Sequence, residues 1–284
     1  MLYHIENEAL FCAVDSFGAE LHSLQSRRTK TEYLWQGDPA VWAGQAPILF
    51  PVVGRLQGDS YAYDGRSYSL AKHGFARKQA FELLARERDR VAFQLCDSEA
   101  TRVGYPFAFA LQADYRLTGS TLAAAVTVRN TGDVPLPFSL GAHPAFNCAM
   151  GDILRFSQPE TLCSLCVNTE SYLTGEAFSV LDAATELVLH PHLFDNDALI
   201  FQNVQSEFIT LLRSGREALR FALGGAPALG LWAKPGAPYV CIEPWFGISD
   251  GLQGAPDIRQ KKGVLLLAPG ERFTQSWTAE TMDE

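Results

Sequence analysis

Hydrophobic and polar positions alternate most cleanly over residues 107–117. Phe107, Phe109, Leu111, Ala113, Tyr115 and Leu117 take every second place, with Ala108, Ala110, Gln112, Asp114 and Arg116 between them. Side chains leave a strand on alternate faces, so this pattern predicts a half-buried antiparallel strand. Thr118-Gly119-Ser120 turns the chain, and Leu122, Ala124, Val126 and Val128 resume the period as its partner. Shorter pieces repeat the theme. LFCAV and AELHSL, within residues 10–24, predict a hairpin or two adjacent strands. Residues 61–70 place Asp64-Gly65 at a hairpin turn. Residues 208–212 and 218–223 flank Ser214-Gly215 as another hairpin, and short strands are expected at 230–233, 239–242, 264–267 and 273–278.

Three stretches are less direct. KQAFELLARERDR (78–90) is rich in helix formers, yet Phe81 and Leu83, then Val91, Phe93 and Leu95, follow a period of two. Propensity is a weak prior, so two strands joined by a charged turn are predicted. WAGQAPILFPVVGRL (42–56) carries Pro47 and Pro51, which exclude a helix. Residues 148–190 read as short strands with long connections. No internal repeat, low-complexity segment or linker interrupts the chain. The expectation is one all-β domain over residues 1–284, a large antiparallel β-sandwich of two packed sheets.

Composition narrows the partners. The formal charge of -9 repels phosphate backbones, so nucleic acid is not expected as a ligand. No apolar run approaches the roughly 20 residues that span a bilayer, so no membrane is expected. The opening MLYHIENEAL lacks a basic stretch and carries acids early, so a cytoplasmic location is expected. Cys12, Cys96, Cys148, Cys163, Cys166 and Cys241 are scattered, and in a reducing compartment they are expected to be free. Cys163 and Cys166 form a single CxxC; with no second pair, and only His190 and His192 to complete it, no metal is expected there. No face of the pattern calls for a protein partner, so a monomer or at most a weak homodimer is expected.

Candidate chemistry gathers in a few stretches. In FSLGAHPAFN, Pro144 forces His143 into extended backbone, and Gly141 allows a close approach. An imidazole on a stiff segment suits acid–base work near neutral pH; the alternative is a buried histidine bonded to a backbone carbonyl. Glu243 follows the apolar run YVCI and precedes Pro244, Trp245 and Phe246. Apolar neighbours raise a carboxyl's pKa, as a general base requires, and Trp245 and Phe246 offer apolar faces of the kind that stack on sugar rings; the alternative is an inert sheet-edge carboxylate. Arg55 closes the apolar run ILFPVVG, where it either finds buried partners or reaches the surface. His73 stands before a glycine in KHGFAR, and Asp195 and Asp197 precede ALIF. Glu243 with Asp197 would also supply the two carboxylates of glycoside cleavage. There is no GxSxG, no GxxxxGK[ST] and no GxGxxG, so serine hydrolysis, a phosphate-binding loop and a dinucleotide cofactor are not expected.

Taken in order, APILFPVVGRL, KHGFAR, GAHPAFN, DALIF and IEPWFGISD resemble the aldose 1-epimerase (mutarotase) family, in particular its bacterial LacX-like branch. The resemblance spans nearly the whole chain. It implies the galactose mutarotase-like supersandwich fold and interconversion of free hexose anomers without a cofactor. It implies His143 as the general acid at the ring oxygen and Glu243 as the base at the C1 hydroxyl. His73 would orient the sugar near the ring oxygen, and Arg55 would bind its hydroxyls, as would Asp197 or, two residues away, Asp195. Arg55, Arg77 and Lys72 would hold a phosphate were the substrate a hexose 6-phosphate; a non-catalytic sugar sensor is the reading from another class.

Overall fold

A computed structural model describes residues 1–255 and 257–282. The alternating segment forms the strand Phe109–Thr118, paired with Thr121–Asn130 in the register Thr118↔Thr121 to Phe109↔Asn130. Its odd-numbered side chains from Phe109 to Leu117 are buried, as the alternation requires. Residues 82–86 and 90–96 are strands, so tertiary pairing overrides the helical propensity of that stretch. The hairpin Ser60–Tyr63/Arg66–Ser69 turns at Asp64 and Gly65, both at positive φ (47° and 73°). That is the backbone an Asp-Gly hairpin turn demands.

The structure departs from expectation in two places. Residues 148–190 do not hold short strands and long connections. They form the longest hairpin of the described residues, Ile153–Val167 against Leu173–Val188. Four register irregularities break its period, and most of its second strand is exposed, so no hydrophobic alternation survives to be read. A short helix, Glu99–Gly104, also went unpredicted; a reciprocal pair of Ser98 and Thr101 hydrogen bonds caps it.

Fifteen strands join in one antiparallel sheet that runs from Ile48–Leu49 at one end to Glu82–Arg86 at the other. The sheet curls until its distant parts meet. Phe50, beside the first strand of that order, packs its ring 5.1 Å from Phe109, near the opposite end. Phe146 meets Phe221 edge-on and Phe221 meets Trp277 at a tilt, joining through the interior strands from the middle of the order and its first half. The result is an all-β sandwich-like closure around one apolar interior. A separate three-stranded sheet, Leu2–Glu6, Leu10–Asp15 and Glu20–Ser26, packs at the side. No helix of the described residues is long and apolar enough to cross a membrane.

Candidate active site

The strand Tyr239–Phe246 positions the chemistry. It pairs with Leu140–Ala142 on one side of His143-Pro144 and with Ala145–Asn147 on the other. The register is continuous across the gap: Gly141 faces Trp245 and Ala145 faces Cys241, which leaves His143 directly opposite Glu243. Opposed side chains on neighbouring strands stand close, and here His143 Nε2 lies 3.3 Å from Glu243 Oε2. Pro144 and Pro244 lack N–H groups, so the ladder is interrupted beside this pair rather than across it. Gly141 makes room for the wall: a Cβ there would stand 2.8 Å from the Trp245 indole.

His73 arrives from a different part of the chain. Its own φ is +67° and that of Gly74 is +68°, and a Cβ on Gly74 would stand 2.2 Å from the Phe50 carbonyl oxygen. Two hydrogen bonds then clamp His73 to Gly54. The His73 N–H donates to the Gly54 carbonyl at 2.8 Å, and the Gly54 N–H donates to His73 Nδ1 at 3.1 Å. An Nδ1 that accepts leaves the proton of the neutral ring on Nε2, so His73 offers a fixed donor. Its ring centre lies 6.0 Å from that of His143.

Around these groups lies a cavity of about 220 Å³, lined by His73, His143, Glu243, Trp245, Lys72, Arg77, Asp197, Trp42 and Trp232, among others. Trp42 stacks on the His143 ring at 5.1 Å, and Trp232 meets it edge-on at 5.8 Å. Neither tryptophan was predicted: Trp42 sits in an irregular segment, and Trp232 ends a strand with no marking period. At the rim, Lys72 Nζ donates to Ser171 Oγ (2.9 Å), and that hydroxyl donates to Asp197 Oδ2 (3.3 Å). Arg77 Nη2 donates to the Lys72 carbonyl, while its buried Nε has no partner.

The structure thus brings His143, Glu243, His73, Trp245, Asp197 and Arg77 together. It does not bring in Arg55 or Asp195. The Arg55 guanidinium grips Asp59 through two hydrogen bonds of 2.8 Å and lies over the Tyr172 ring, so its backbone neighbour Gly54, not its side chain, meets the cavity. Asp195 pairs with exposed His192. Cys163 and Cys166 form no three-ligand cluster with His190 or His192 among the described residues.

Burial governs the protonation states. It pushes the Glu243 carboxyl well above its ordinary range, against the weaker pull of the Trp245 side chain and Lys72. It holds the His143 imidazole down to about 3 and His73 well below an ordinary histidine. Both shifts favour the uncharged forms, a protonated carboxyl beside a neutral imidazole. Oε2 has no hydrogen-bond partner despite its closeness to Nε2, and His143 Nδ1 has none either. Buried polar atoms left open toward a cavity are matched to something that enters it.

The family model described as Aldose 1-epimerase matches residues 1–279. The chain is 30% identical to protein LacX of Lactococcus lactis subsp. lactis, over 98% of both chains. Among solved structures, it is similar to a galactose mutarotase related enzyme from Lactobacillus acidophilus, with a TM-score of 0.94, 31% identity and coverage of 100% of this chain and 98% of that one. A galactose mutarotase-like protein from Lactobacillus casei superimposes with a TM-score of 0.93 at 28% identity, covering 99% and 100% of the two chains.

Proposed function

Because this chain belongs to the aldose 1-epimerase family, we propose that it interconverts the α and β anomers of free hexoses of the galactose or glucose type, with His143 and Glu243 as its proton carriers. The observation that carries the reading is the opposed pair at 3.3 Å, buried, at the floor of a cavity walled by indoles. A hemiacetal opens when the C1 hydroxyl loses a proton while the ring oxygen gains one. Both oxygens are bonded to C1, so they stand closer together than a hydrogen bond is long. Two side chains in contact with each other can therefore reach both at once. Glu243 takes the O1 proton, His143 supplies one to O5, and the C1–O5 bond breaks. The aldehyde turns its other face and the ring recloses with the roles exchanged.

The proton inventory supports this cycle. Burial favours a proton on the carboxyl over one on the imidazole, and substrate hydroxyls replace the hydrogen bonds that burial removed. That shifts the proton from the carboxyl to the imidazole, which is the tautomer in which Glu243 is the base and His143 the acid. The fixed Nε2–H of His73 donates toward the ring oxygen and steadies the charge that develops there. Asp197 accepts from sugar hydroxyls, and Arg77 and Lys72 donate to them. Trp245, Trp42 and Trp232 offer apolar walls to the pyranose faces. A cavity of about 220 Å³ is small beside those that take drug-sized ligands, which favours one sugar ring over an oligosaccharide.

The test is polarimetry on freshly dissolved α-galactose and α-glucose, with glucose 6-phosphate followed in parallel by NMR exchange. The proposal expects faster approach to anomeric equilibrium with a free hexose. Acceleration with the phosphate alone would replace the substrate class, and binding without acceleration would replace catalysis by sensing.

A further inference from the structure

The acid–base reading leaves one group beside the proton-transfer pair unused. Cys241 lies two residues before Glu243 on the strand Tyr239–Phe246, so its thiol leaves the same face. It is fully buried and free. One ligand atom each from His143, Cys241 and Glu243 lie within 4.8 Å of one another. Two polar atoms of this trio, His143 Nδ1 and Glu243 Oε2, are buried without a hydrogen-bond partner.

We propose that His143, Cys241 and Glu243 form a binding site for a thiophilic divalent cation, zinc or cadmium, which occupies the proton-transfer pair and reversibly inhibits the enzyme. The binding stands on the donor set alone; the inhibition rests on the function proposed above. Nitrogen, thiolate and carboxylate are the ligands zinc accepts, at about 2.0–2.3 Å, and three protein ligands leave a fourth position open to the cavity. Donors at such distances from one metal stand roughly 3–4 Å apart, so movements of about an ångström close the set. Magnesium and calcium prefer oxygen ligands and do not compete.

Binding forms a metal–sulfur bond in place of the S–H bond, and the displaced proton leaves to solvent. The Glu243 proton leaves as well when its carboxylate ligates. Because the cation displaces the thiol proton, binding tightens as pH rises. Once bound, it takes the imidazole lone pair and the carboxylate together, and neither can carry a proton to the sugar.

The experiment uses the full chain in a Cys163→Ser/Cys166→Ser background, which removes the exposed CxxC thiols. Cobalt(II) serves as a spectroscopic zinc substitute. The expected results are one equivalent of zinc bound, a near-ultraviolet sulfur-to-cobalt charge-transfer band, and inhibition that EDTA reverses. Cys241→Ser should keep the uninhibited rate, lose the band, and bind zinc more weakly by at least the about 10- to 100-fold that loss of even an outer-shell partner costs. Where Ser does not fold, Cys241→Ala replaces the thiol with an apolar group and serves the same purpose. Absence of the band in the parent, or an undiminished band in the Cys241 variant, overturns the site. A Cys241-dependent band without inhibition of turnover leaves the site standing and sinks the proposed function of the pair.

Discussion

Glu243→Gln is the most informative single perturbation. The glutamine has nearly the shape of the carboxyl it replaces. The carboxyl itself is 1% exposed and burial favours its protonated form, which the glutamine matches in charge. The change opens no cavity and leaves the His143 stacking on Trp42 in place. Folding stability should therefore fall by no more than about 1 kcal/mol near pH 4, within the range of substitutions that create neither a void nor a buried unpaired charge, and the variant should gain on the wild type as pH rises because the glutamine escapes the cost of burying an acid. Catalysis should not be spared. An amide cannot take the O1 proton, and a positioned proton-transfer group contributes on the order of 10²- to 10⁴-fold. At 1.36 kcal/mol per decade, that is about 2.7 to 5.5 kcal/mol of barrier. The amide can still hydrogen-bond O1, so kcat should carry the loss and KM should change little. The assay is NMR exchange between galactose anomers at equilibrium, beside a thermal melt of the same sample. A variant that melts no lower than the wild type and keeps more than about a tenth of its rate would refute the base assignment.

Further outcomes follow from placement and protonation. Arg77→Ala should raise KM about tenfold, the equivalent of one lost charge-assisted contact, whereas Arg55→Ala should leave KM within about twofold because its guanidinium is spent on Asp59. The kcat/KM profile should have its acid limb not in the ordinary histidine range near 6.5 but toward the depressed His143 value of about 3, where the pair takes a second proton, and an alkaline limb where the raised Glu243 carboxyl loses the first. An acid limb centred near 6.5 would contradict that. Stability should carry the opposite signature from Glu243. Its folded-state pKa is raised, so its contribution is complete below the unfolded value of about 4.3 and is lost as pH rises toward the folded one. The melting temperature of Glu243→Gln relative to wild type should therefore rise with pH above that point, and a constant difference would show the carboxyl is ionised at no cost.

Sequence alternation revealed those strands that have one wet face and one dry face. Phe109–Thr118 and its partner were legible because their neighbours bury every second side chain. The Ile153–Val167/Leu173–Val188 hairpin was not, because its bulges shift the period and its second strand is largely exposed. The site divided along a similar line. His143, His73 and Glu243 stand beside prolines or glycines that restrict or free the backbone, and such punctuation is visible in a sequence. The side-chain destination of Arg55 is not: Asp59, four residues on, captures it, and no local pattern shows that. Asp197 and Asp195 look alike in sequence, yet a positive φ of 75° at Asp197 helps turn it to the cavity while Asp195 meets a surface histidine. Trp42 and Trp232 reach the cavity only through long-range packing.

The central claim is that protons move on the His143–Glu243 pair while the bond between C1 and the ring oxygen breaks. The direct test is to run anomer exchange of [1-¹³C]galactose in ¹⁸O-labelled water and follow, in the same spectra, both the exchange rate and the isotope shift at C1. Ring opening predicts rapid exchange of anomers over many turnovers with O1 retained. Uptake of ¹⁸O at the rate of anomer exchange would mean that the C1–O1 bond is the one cleaved, with Glu243 and Asp197 acting as a carboxylate pair, and the account would be wrong.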